Sequence, residues 1–317
     1  MNRAGFRSGT KHAGTKFQKK DIQAAVAGIR GAVRFDAPLD SYTSFKIGGP
    51  ADAVVEPADV EDVCRLVAQA RARAVPLFVV GGTNLLIRDG GIRGIVVHLG
   101  KLRAIREEPG EVLYAEGGVG MPTLIGYAVR RALAGLEWAA GIPGTVAGCV
   151  VMNAGTRLGE MKDALKAVRV VTPAGVVRDI PASAIPFEYR RARLPNGVVV
   201  GVWLQLRKGI RGDIERVVKE YLHYRRDTQP LTMPSAGCVF KNPANDSAGR
   251  LIETMKLKGL RVGDAEVSTR HGNFIVNRGR ARASDVIALI GKIRRAIKRQ
   301  AGVRLDLELR IVGEAGR

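Results

Sequence analysis

The stretch VPLFVVGGTNLLIRDGGIRGIVVH, residues 75–98, decides the fold. Its two apolar runs, VPLFVV at 75–80 and GIVVH at 94–98, are rich in β-branched residues and predict buried strands. A helix is predicted just before them, with Asp59 as its N-cap and Cys64 on its apolar face. This alternation of helix and strand is typical of an α/β domain.

Outward from this stretch, the same patterns predict the remaining elements. Between about 100 and 208 strands follow one another closely, and a second α+β region begins near 211. Ser284 is the expected cap of the last long helix, whose apolar residues Val286, Leu289, Ile290, Ile293 and Ile297 recur at helical spacing. The further predictions are helices over Asp21–Ile29, Thr123–Ala134, Ala248–Met255 and Ser284–Gln300, and a closing strand in VRLDLELRI at 303–311.

These elements predict three ordered blocks preceded by a tail. The tail is residues 1–20, which are polar, basic and rich in glycine and are therefore expected to be disordered. The blocks are 21–98 together with the closing strand 303–312, then 99–208, then 211–302, with 207–213 as the linker.

The net charge of +21 would fit a nucleic-acid-binding protein. Six of the basic residues lie in the tail and five in the helix 284–300, opposite its apolar stripe. Such a face is more often solvated than dedicated to nucleic acid, and anionic ligands would account for the excess equally well. Nucleic acid is therefore not the expected partner.

Cysteine and histidine usage excludes several classes of site. The three cysteines are far apart, and no CxxC or HExxH spacing occurs, so neither a disulfide framework nor a metal site is predicted. The uncharged stretch 138–155 contains the helix breakers Gly141, Pro143, Gly144 and Gly148, so no membrane span is expected. The basic N-terminus lacks the apolar core of a signal peptide, and the expected compartment is the cytoplasm.

Two glycine-containing segments are candidates for holding a ligand. GGTN at 81–84 follows a buried strand, and its backbone N–H groups can cradle a pyrophosphate, although tight turns often have such sequences. GIPGTVAGCVVMNAG at 141–155 implies backbone packed closely against a flat or anionic group, or else an irregular buried crossover. Cys149 within it is expected to be a small apolar filler, as is Cys64 on its helix.

Three side chains are candidates for chemistry. PSAGCVFKNP at 234–243 presents Cys238 in a turn close to Lys241, and a thiol near a cation loses its proton more readily; a buried filler is the alternative. FEYRR at 187–191 places Arg190 in a polar turn. Glu308 lies on the polar face of the closing strand, where a solvated charge is the ordinary reading.

Taken in order, these segments resemble the UDP-N-acetylenolpyruvoylglucosamine reductase family from about Tyr42 to Gly313. Single segments are unspecific, but nine in the same order are highly specific. The chain resembles the shorter branch of the family, because there is no room between Trp203 and Tyr221 for the tyrosine-bearing loop of the longer branch. The matching segments are YTSFKIGGPAD (42–52), GGTNLLIRDGGIRG (81–94), 141–155, FEYR (187–190), QP (229–230), PSAGCVFKNP (234–243), LIETMKLKG (251–259), HGNFIVN (271–277) and LDLELR (305–310).

The resemblance implies a vanillyl-alcohol-oxidase-type FAD-binding fold. That fold has two FAD-binding subdomains and is followed by a C-terminal α+β substrate-binding domain. The resemblance also implies FAD as cofactor, NADPH as hydride donor, and reduction of an enolpyruvyl UDP-sugar to UDP-N-acetylmuramate in peptidoglycan synthesis. A monomer is expected.

Site residues follow from the same resemblance. It implies Cys238 as the proton donor, where serine is more usual in the family, with Arg190 and Glu308 as the other catalytic residues. The implied cofactor-binding residues are Gly81, Gly82, Thr83, Asn84, Leu85, Gly141, Ile142, Pro143, Gly144, Thr145, Gly148 and Asn153, and the implied substrate-binding residues are Arg225, Gln229, Lys241 and Asn242.

Two departures from the family pattern and two competing functions remain. The GGTN turn is one glycine short of the usual pattern, which predicts a reshaped flavin diphosphate turn, and Met255–Lys256 replaces small residues. The competing functions are an oxidase of sugars or alcohols on the same flavin fold, and a basic nucleic-acid-binding protein that has lost its flavin.

Overall fold

The computed structural model describes residues 17–81 and 83–316. Contacts divide the chain into two units. The first unit contains the described residues of 17–36, 52–81 and 94–223, and the second contains 37–51, 83–93 and 224–316. The boundaries of these units differ from those of the predicted blocks, because 37–51 and 83–93 group with the C-terminal residues. The division into three blocks stays a prediction.

The described residues form eight α-helices and twenty-one short strands. The helices are α1 (Lys19–Ala25), α2 (Val60–Ala72), α3 (Met121–Arg130), α4 (Val146–Val151), α5 (Met161–Ala164), α6 (Arg211–Thr228), α7 (Ala248–Thr254) and α8 (Ala283–Ala301). The strands are β1 (Ala32–Pro38), β2 (Pro50–Glu56), β3 (Leu77–Val80), β4 (Leu85–Ile87), β5 (Ile92–His98), β6 (Ile105–Glu108), β7 (Val112–Glu116), β8 (Leu133–Ala134), β9 (Gly155–Thr156), β10 (Gly159–Glu160), β11 (Leu165–Val171), β12 (Val177–Pro181), β13 (Phe187–Glu188), β14 (Arg191–Ala192), β15 (Val198–Gln205), β16 (Arg207–Lys208), β17 (Ser235–Cys238), β18 (Arg261–Val262), β19 (Ala265–Val267), β20 (Phe274–Asn277) and β21 (Arg310–Val312).

Three sheets carry the fold. The first has the strand order β1-β2-β5-β3, with β3 and β5 parallel. Both predicted strands form, but the burial predicted for the first is wrong: within β3 only Val80 is buried, and Val79 is 36% exposed. The second is antiparallel with the order β12-β11-β15-β7-β6. The third lies in the second unit, is antiparallel, and has the order β17-β20-β19-β18, while β21 pairs in parallel with β4.

Each unit is built on apolar cores. In the first unit, α1 and α2 pack with the first sheet, and α3 and α4 pack with the five-stranded sheet. In the second unit, the predicted apolar stripe of α8 is confirmed, because all five residues named for it are at most 4% exposed. Cys149 is 4% exposed and burial raises its pKa to about 12, which confirms it as core, and Cys64 packs partly buried against the core of α2.

Several predicted elements are wrong at their ends. The helix predicted over 123–134 ends at Arg130, because Leu133 and Ala134 form β8 with β16. The predicted linker 207–213 forms β16 and the start of α6. Of the predicted disordered tail, 17–20 are described and Lys19 already belongs to α1, while residues 1–16 lie outside the described part of the chain.

The closing segment is the largest of these corrections. Although residues 303–311 alternate strictly, the ladder covers only Arg310–Val312, with one isolated bridge between Leu307 and Phe240. The neighbouring peptide groups at 306, 308 and 309 bond instead to Val239 and Lys241, so hydrogen bonds to a turn replace those of a regular strand.

The N-terminus of α8 is not capped by Ser284 as the sequence predicted. The helix begins one residue earlier, at Ala283, and its first N–H groups donate to a distant carboxylate: Asp89 Oδ1 accepts from Ala283 at 2.7 Å and Oδ2 from Ser284 at 3.0 Å. Asp89 thus acts as the cap from 194 residues away and ties the loop after β4 to α8.

Asp89→Ala is expected to lower the free energy of unfolding by about 1–2 kcal/mol, because two helix N–H groups lose their acceptor. Ser284→Ala, the matched control, should change it by less than about 0.5 kcal/mol. Urea titration followed by circular dichroism measures both. A larger loss of unfolding free energy in the Ser284 variant would instead support Ser284 as the helix cap.

Candidate active site

In the first unit the two predicted glycine segments meet. The carbonyl of Gly81, directly after β3, accepts from the N–H and the hydroxyl of Thr145, each at 3.0 Å. Thr145 also caps α4, since its hydroxyl oxygen accepts from the N–H of Gly148 at 3.2 Å. A Cβ atom on Gly81 would lie 3.0 Å from that hydroxyl, so any larger residue would press on Thr145. Gly82 lies outside the described residues.

The rest of the glycine segment is irregular in the way its composition predicted. Gly141 and Gly144 have φ of +76° and +99°, conformations that side chains rarely adopt. Gly144 accepts from the N–H of Met121 at 3.0 Å, and Thr145 bridges to Gly120. The segment is thereby fixed along the start of α3. It leaves Gly141, Ile142, Gly144 and Thr145 half-buried and Pro143 exposed.

Arg190 is held by the end of this same segment. The buried amide of Asn153 donates to the carbonyl of Glu188 at 3.2 Å and accepts from the N–H of Lys162 at 3.1 Å. Arg190 itself has a left-handed φ of 59°, and its Nη1 donates to the carbonyl of Gly155 at 2.7 Å. The first unit therefore places Asn153 and Arg190 on neighbouring parts of the chain, each bonded to a main-chain carbonyl of the other's segment.

In the second unit Asn84 joins the predicted flavin turn to Glu308. Its Nδ2 donates to the carbonyl of Glu308 at 2.7 Å, and its own carbonyl accepts from Arg310 at 3.2 Å. The neighbouring Thr83 accepts from the hydroxyl of Ser44 at 3.1 Å, a contact that the sequence did not indicate. The Oδ1 atom of Asn84 is buried and has no hydrogen-bond partner among the residues that the structure describes.

Cys238 and Glu308 are linked through one carbonyl group. Cys238 ends β17, opposite Phe274, and the left-handed Gly237 (φ +75°) precedes it. The carbonyl of Val239, the next residue, accepts from the N–H of Glu308 at 2.9 Å. Both catalytic candidates of the second unit thus lie next to the same peptide group, and both side chains are half-buried.

Arg225 is a cation that acts on Cys238. Burial lowers the pKa of the Arg225 guanidinium, and its interaction with Cys238 raises it. Its Nε donates to the side-chain oxygen of Gln229 at 3.2 Å. Two of the predicted substrate-binding residues, Arg225 and Gln229, are therefore grouped, and Arg225 is a cationic neighbour of Cys238 that the sequence did not indicate.

The other two predicted substrate-binding residues are exposed. The N–H of Lys241 donates to the carbonyl of Asp306 at 2.8 Å, so its position follows that of the closing segment. The side-chain oxygen of Asn242 accepts from the N–H of Ala248, the first residue of α7, at 3.1 Å.

The residues present fit FAD. The buried oxygen of Asn84 is an acceptor for a hydroxyl or N–H donor, both of which FAD carries, and a buried acceptor without a partner is rare unless a ligand completes it. At Gly81 the backbone lies against Thr145 with no side chain between them. Among the described residues no group of histidines, cysteines and carboxylates could hold a metal ion, and no helix there is long and apolar enough to cross a membrane.

Comparison with known proteins identifies the family. Residues 51–180 match the family model described as FAD binding domain, and residues 229–312 match the C-terminal domain of UDP-N-acetylenolpyruvoylglucosamine reductase. The UDP-N-acetylenolpyruvoylglucosamine reductase of Heliobacterium modesticaldum is 43% identical over 292 residues, which are 91% of this chain and 93% of that protein. The one from Syntrophus aciditrophicus is 42% identical over 306 residues, covering 95% and 97%.

A solved structure agrees with these relatives. The crystal structure of UDP-N-acetylenolpyruvylglucosamine reductase from Thermus caldophilus superposes with a TM-score of 0.76 at 38% identity, covering 90% of this chain and all of that one. The predicted fold, a vanillyl-alcohol-oxidase-type FAD-binding fold with a C-terminal α+β domain, is confirmed, and the protein is an FAD-dependent oxidoreductase. With both family models in order and relatives aligned over nearly their whole length, this chain belongs to the UDP-N-acetylenolpyruvoylglucosamine reductase family.

Proposed function

We propose that the protein reduces the enolpyruvyl ether of UDP-N-acetylglucosamine to UDP-N-acetylmuramate, a step of peptidoglycan precursor synthesis in the cytoplasm, with NADPH as the hydride donor. The observation that carries the proposal is the connection of Cys238 and Glu308 through the carbonyl of Val239, because it places an acid and a carboxylate on one rigid backbone. When bound, FAD supplies the hydride transfer from NADPH to C3 of the enolpyruvyl group.

Backbone and amide groups of the glycine segments would hold FAD. In the first unit these are Gly81, Gly141–Thr145 and Asn153, and in the second unit Thr83, Asn84 and Leu85. The support is the shared Gly81–Thr145 contact and the buried acceptor of Asn84. Because Asn84 also holds the main chain of Glu308, the same side chain would connect cofactor and carboxylate.

Arg190 and Glu308 would act on the carboxylate of the enolpyruvyl group. Addition of hydride at C3 builds negative charge at C2 and on that carboxylate. The Arg190 guanidinium, fixed by the carbonyl of Gly155, would stabilise this charge by charge-assisted hydrogen bonds. Glu308, whose main chain is held at both its N–H and its carbonyl, would position the group or share a proton with it.

Cys238 would protonate C2. An acid must carry its proton at the working pH, and a cysteine thiol has an ordinary pKa of about 8.5. The half-buried guanidinium of Arg225 would remain beside the thiolate that forms when the proton leaves, and Gln229 orients that guanidinium. Arg225 and Gln229, with Lys241 and Asn242, would contact the nucleotide sugar.

The visible spectrum of the purified protein tests the function. We expect a yellow protein whose colour bleaches with NADPH and returns when the enolpyruvyl nucleotide sugar is added without oxygen. UDP-N-acetylglucosamine, which lacks the enol ether, is the control and should leave the colour bleached. Rapid return of colour with oxygen alone would favour an oxidase, and a colourless protein with salt-dependent DNA affinity would favour nucleic-acid binding.

The pH profile of reoxidation is expected to depend on the residue at 238. With cysteine, the rate of reoxidation by the enol ether should fall about tenfold per pH unit above the thiol pKa, because thiolate cannot donate a proton. Cys238→Ser should remain active and lose this alkaline decline, since a serine hydroxyl does not ionise in that range. Stopped-flow absorbance from pH 6 to 10 measures both, and superimposable profiles would contradict the assignment.

A further inference from the structure

The two-residue segment that follows Cys238 is enclosed on both sides by hydrogen bonds. Val239 and Phe240 are each 1% exposed. On one side lies the closing segment: the carbonyl of Val239 accepts from Glu308 at 2.9 Å and from Leu309 at 3.1 Å, and Phe240 bridges to Leu307. This side sets the register of the segment against residues 307–309, and with it the separation in space of Cys238 and Glu308.

On the other side the segment pairs with Asn273, through both its main chain and its side chain. The main-chain carbonyl of Asn273 accepts from the N–H of Val239 at 2.9 Å. Its side-chain oxygen accepts from the N–H of Phe240 at 2.9 Å, and its Nδ2 donates to the carbonyl of Phe240 at 2.8 Å. Asn273 is 3% exposed, so loss of its amide would leave the buried N–H and C=O of Phe240 without this partner.

The side chain at 273 needs the chemistry of an amide. A donor and an acceptor in one plane match the N–H and C=O of Phe240, as another peptide group would. Aspartate offers no donor, alanine offers neither group, and glutamine is one methylene longer. The N–H of Asn273 donates to Nδ1 of His271 at 3.1 Å, which fixes the residue itself.

We propose that Asn273 is a positioning residue for the reduction. By pairing with Phe240 it holds the segment 239–240 in one register, and thereby places the thiol of Cys238 relative to the carboxylate of Glu308. The inference rests on the proposed function, because it assigns to Asn273 an effect on the proton-transfer step and not only on folding.

Asn273→Ala tests the proposal through the two half-reactions. Reoxidation by the enolpyruvyl nucleotide sugar should slow about 100-fold, the scale expected when a reacting group shifts by about 1 Å. Reduction by NADPH should stay within about twofold of the wild type, since Cys238 takes no part in it. Stopped-flow absorbance of the flavin-loaded protein follows each half-reaction separately.

Asn277→Ala is the matched control. Asn277 is also 3% exposed and ends β20, the strand that Asn273 directly precedes. Its side chain bonds elsewhere: Nδ2 donates to the carbonyl of Phe45 at 3.1 Å, and Oδ1 accepts from Gly279 at 2.8 Å and Ala281 at 3.0 Å. At equal flavin occupancy its reoxidation rate should stay within about threefold of the wild type. An Asn277 variant slowed as much as Asn273→Ala would overturn the proposal, as would equal slowing of both half-reactions.

Alkylation of Cys238 gives a second readout that needs no turnover. In Asn273→Ser, which retains a small polar group, iodoacetamide should modify Cys238 several-fold faster than in the wild type, measured by peptide mass spectrometry. An unchanged alkylation rate in the folded variant overturns the positioning role. Failure of wild-type reoxidation would instead refute the proposed function, and the alkylation experiment would still decide the role of Asn273.

Discussion

Cys238→Ala is expected to slow reoxidation by the enolpyruvyl nucleotide sugar by about 10²–10⁴-fold, the usual contribution of a general acid. Reduction of the flavin by NADPH should continue at the wild-type rate, because that step needs no proton at C2 of the sugar substrate. Anaerobic stopped-flow absorbance separates the two: the variant should bleach with NADPH and stay bleached when the enol ether is added.

The control for this prediction is Cys64→Ala. Cys64 is half-buried on α2 in the first unit, and burial raises the pKa of its thiol, so it resembles Cys238 in exposure without belonging to the proposed site. It should keep both half-reactions. Normal reoxidation in Cys238→Ala would remove Cys238 from the role of acid.

Asp62→Ala is expected to lower the free energy of unfolding by about 3 kcal/mol. The side chain of Asp62 is fully buried at the start of α2 and accepts from the N–H groups of Ala58 (3.0 Å), Gly31 (2.9 Å) and Arg30 (3.1 Å). Alanine would leave these three donors without their acceptor. Equilibrium unfolding in urea measures the loss.

Glu61→Ala is the matched control for Asp62. Glu61 contacts the same guanidinium of Arg30 at 3.2 Å, but its side chain is 72% exposed, so its removal should cost less than about 0.5 kcal/mol. Equal losses in the two variants would contradict the importance of the buried acceptor.

The contribution of Asp62 should disappear in acid. Burial by itself would raise the pKa of its carboxyl group, but the N–H groups of Ala58, Arg30 and Gly31 outweigh it and hold the pKa below its ordinary value. A carboxyl group whose pKa is lower in the folded than in the unfolded protein stabilises the fold at pH values above its unfolded pKa, about 3.9. This stabilisation is lost as the pH falls through the pKa of the folded state. The difference between wild type and Asp62→Ala should therefore shrink below about pH 4.

The sequence predicted elements best where local signals agreed. Asp59 is the N-cap of α2 as predicted, because its side chain accepts from the N–H of Asp62 within the same turn. The helix predicted to reach Ala134 failed for the opposite reason: residues 130–134 are all good helix formers, and only the partner strand β16, more than 70 residues away, turns Leu133 and Ala134 into β8.

In the candidate site, the sequence motifs predicted which residues take part but not which residues they contact. The motifs named Asn84, Arg190, Cys238 and Glu308 as site residues, a prediction that the half-reaction experiments on Cys238 test. Nothing local indicates that Asp89 caps α8 or that Asn273 pairs with Phe240, because both contacts join residues far apart in the chain. Asparagine within an otherwise apolar run, as in HGNFIVN, was the one available signal of such a buried amide.

The hydrogen bonds around residues 239–241 are made by their peptide groups and not by their side chains. The position of residue 238 therefore does not depend on which side chain it carries. A lineage can exchange sulfur for oxygen there by a single nucleotide change while the surrounding backbone stays in place. Natural variation between cysteine and serine would then adapt the alkaline limit of the enzyme to its habitat without a compensating mutation elsewhere.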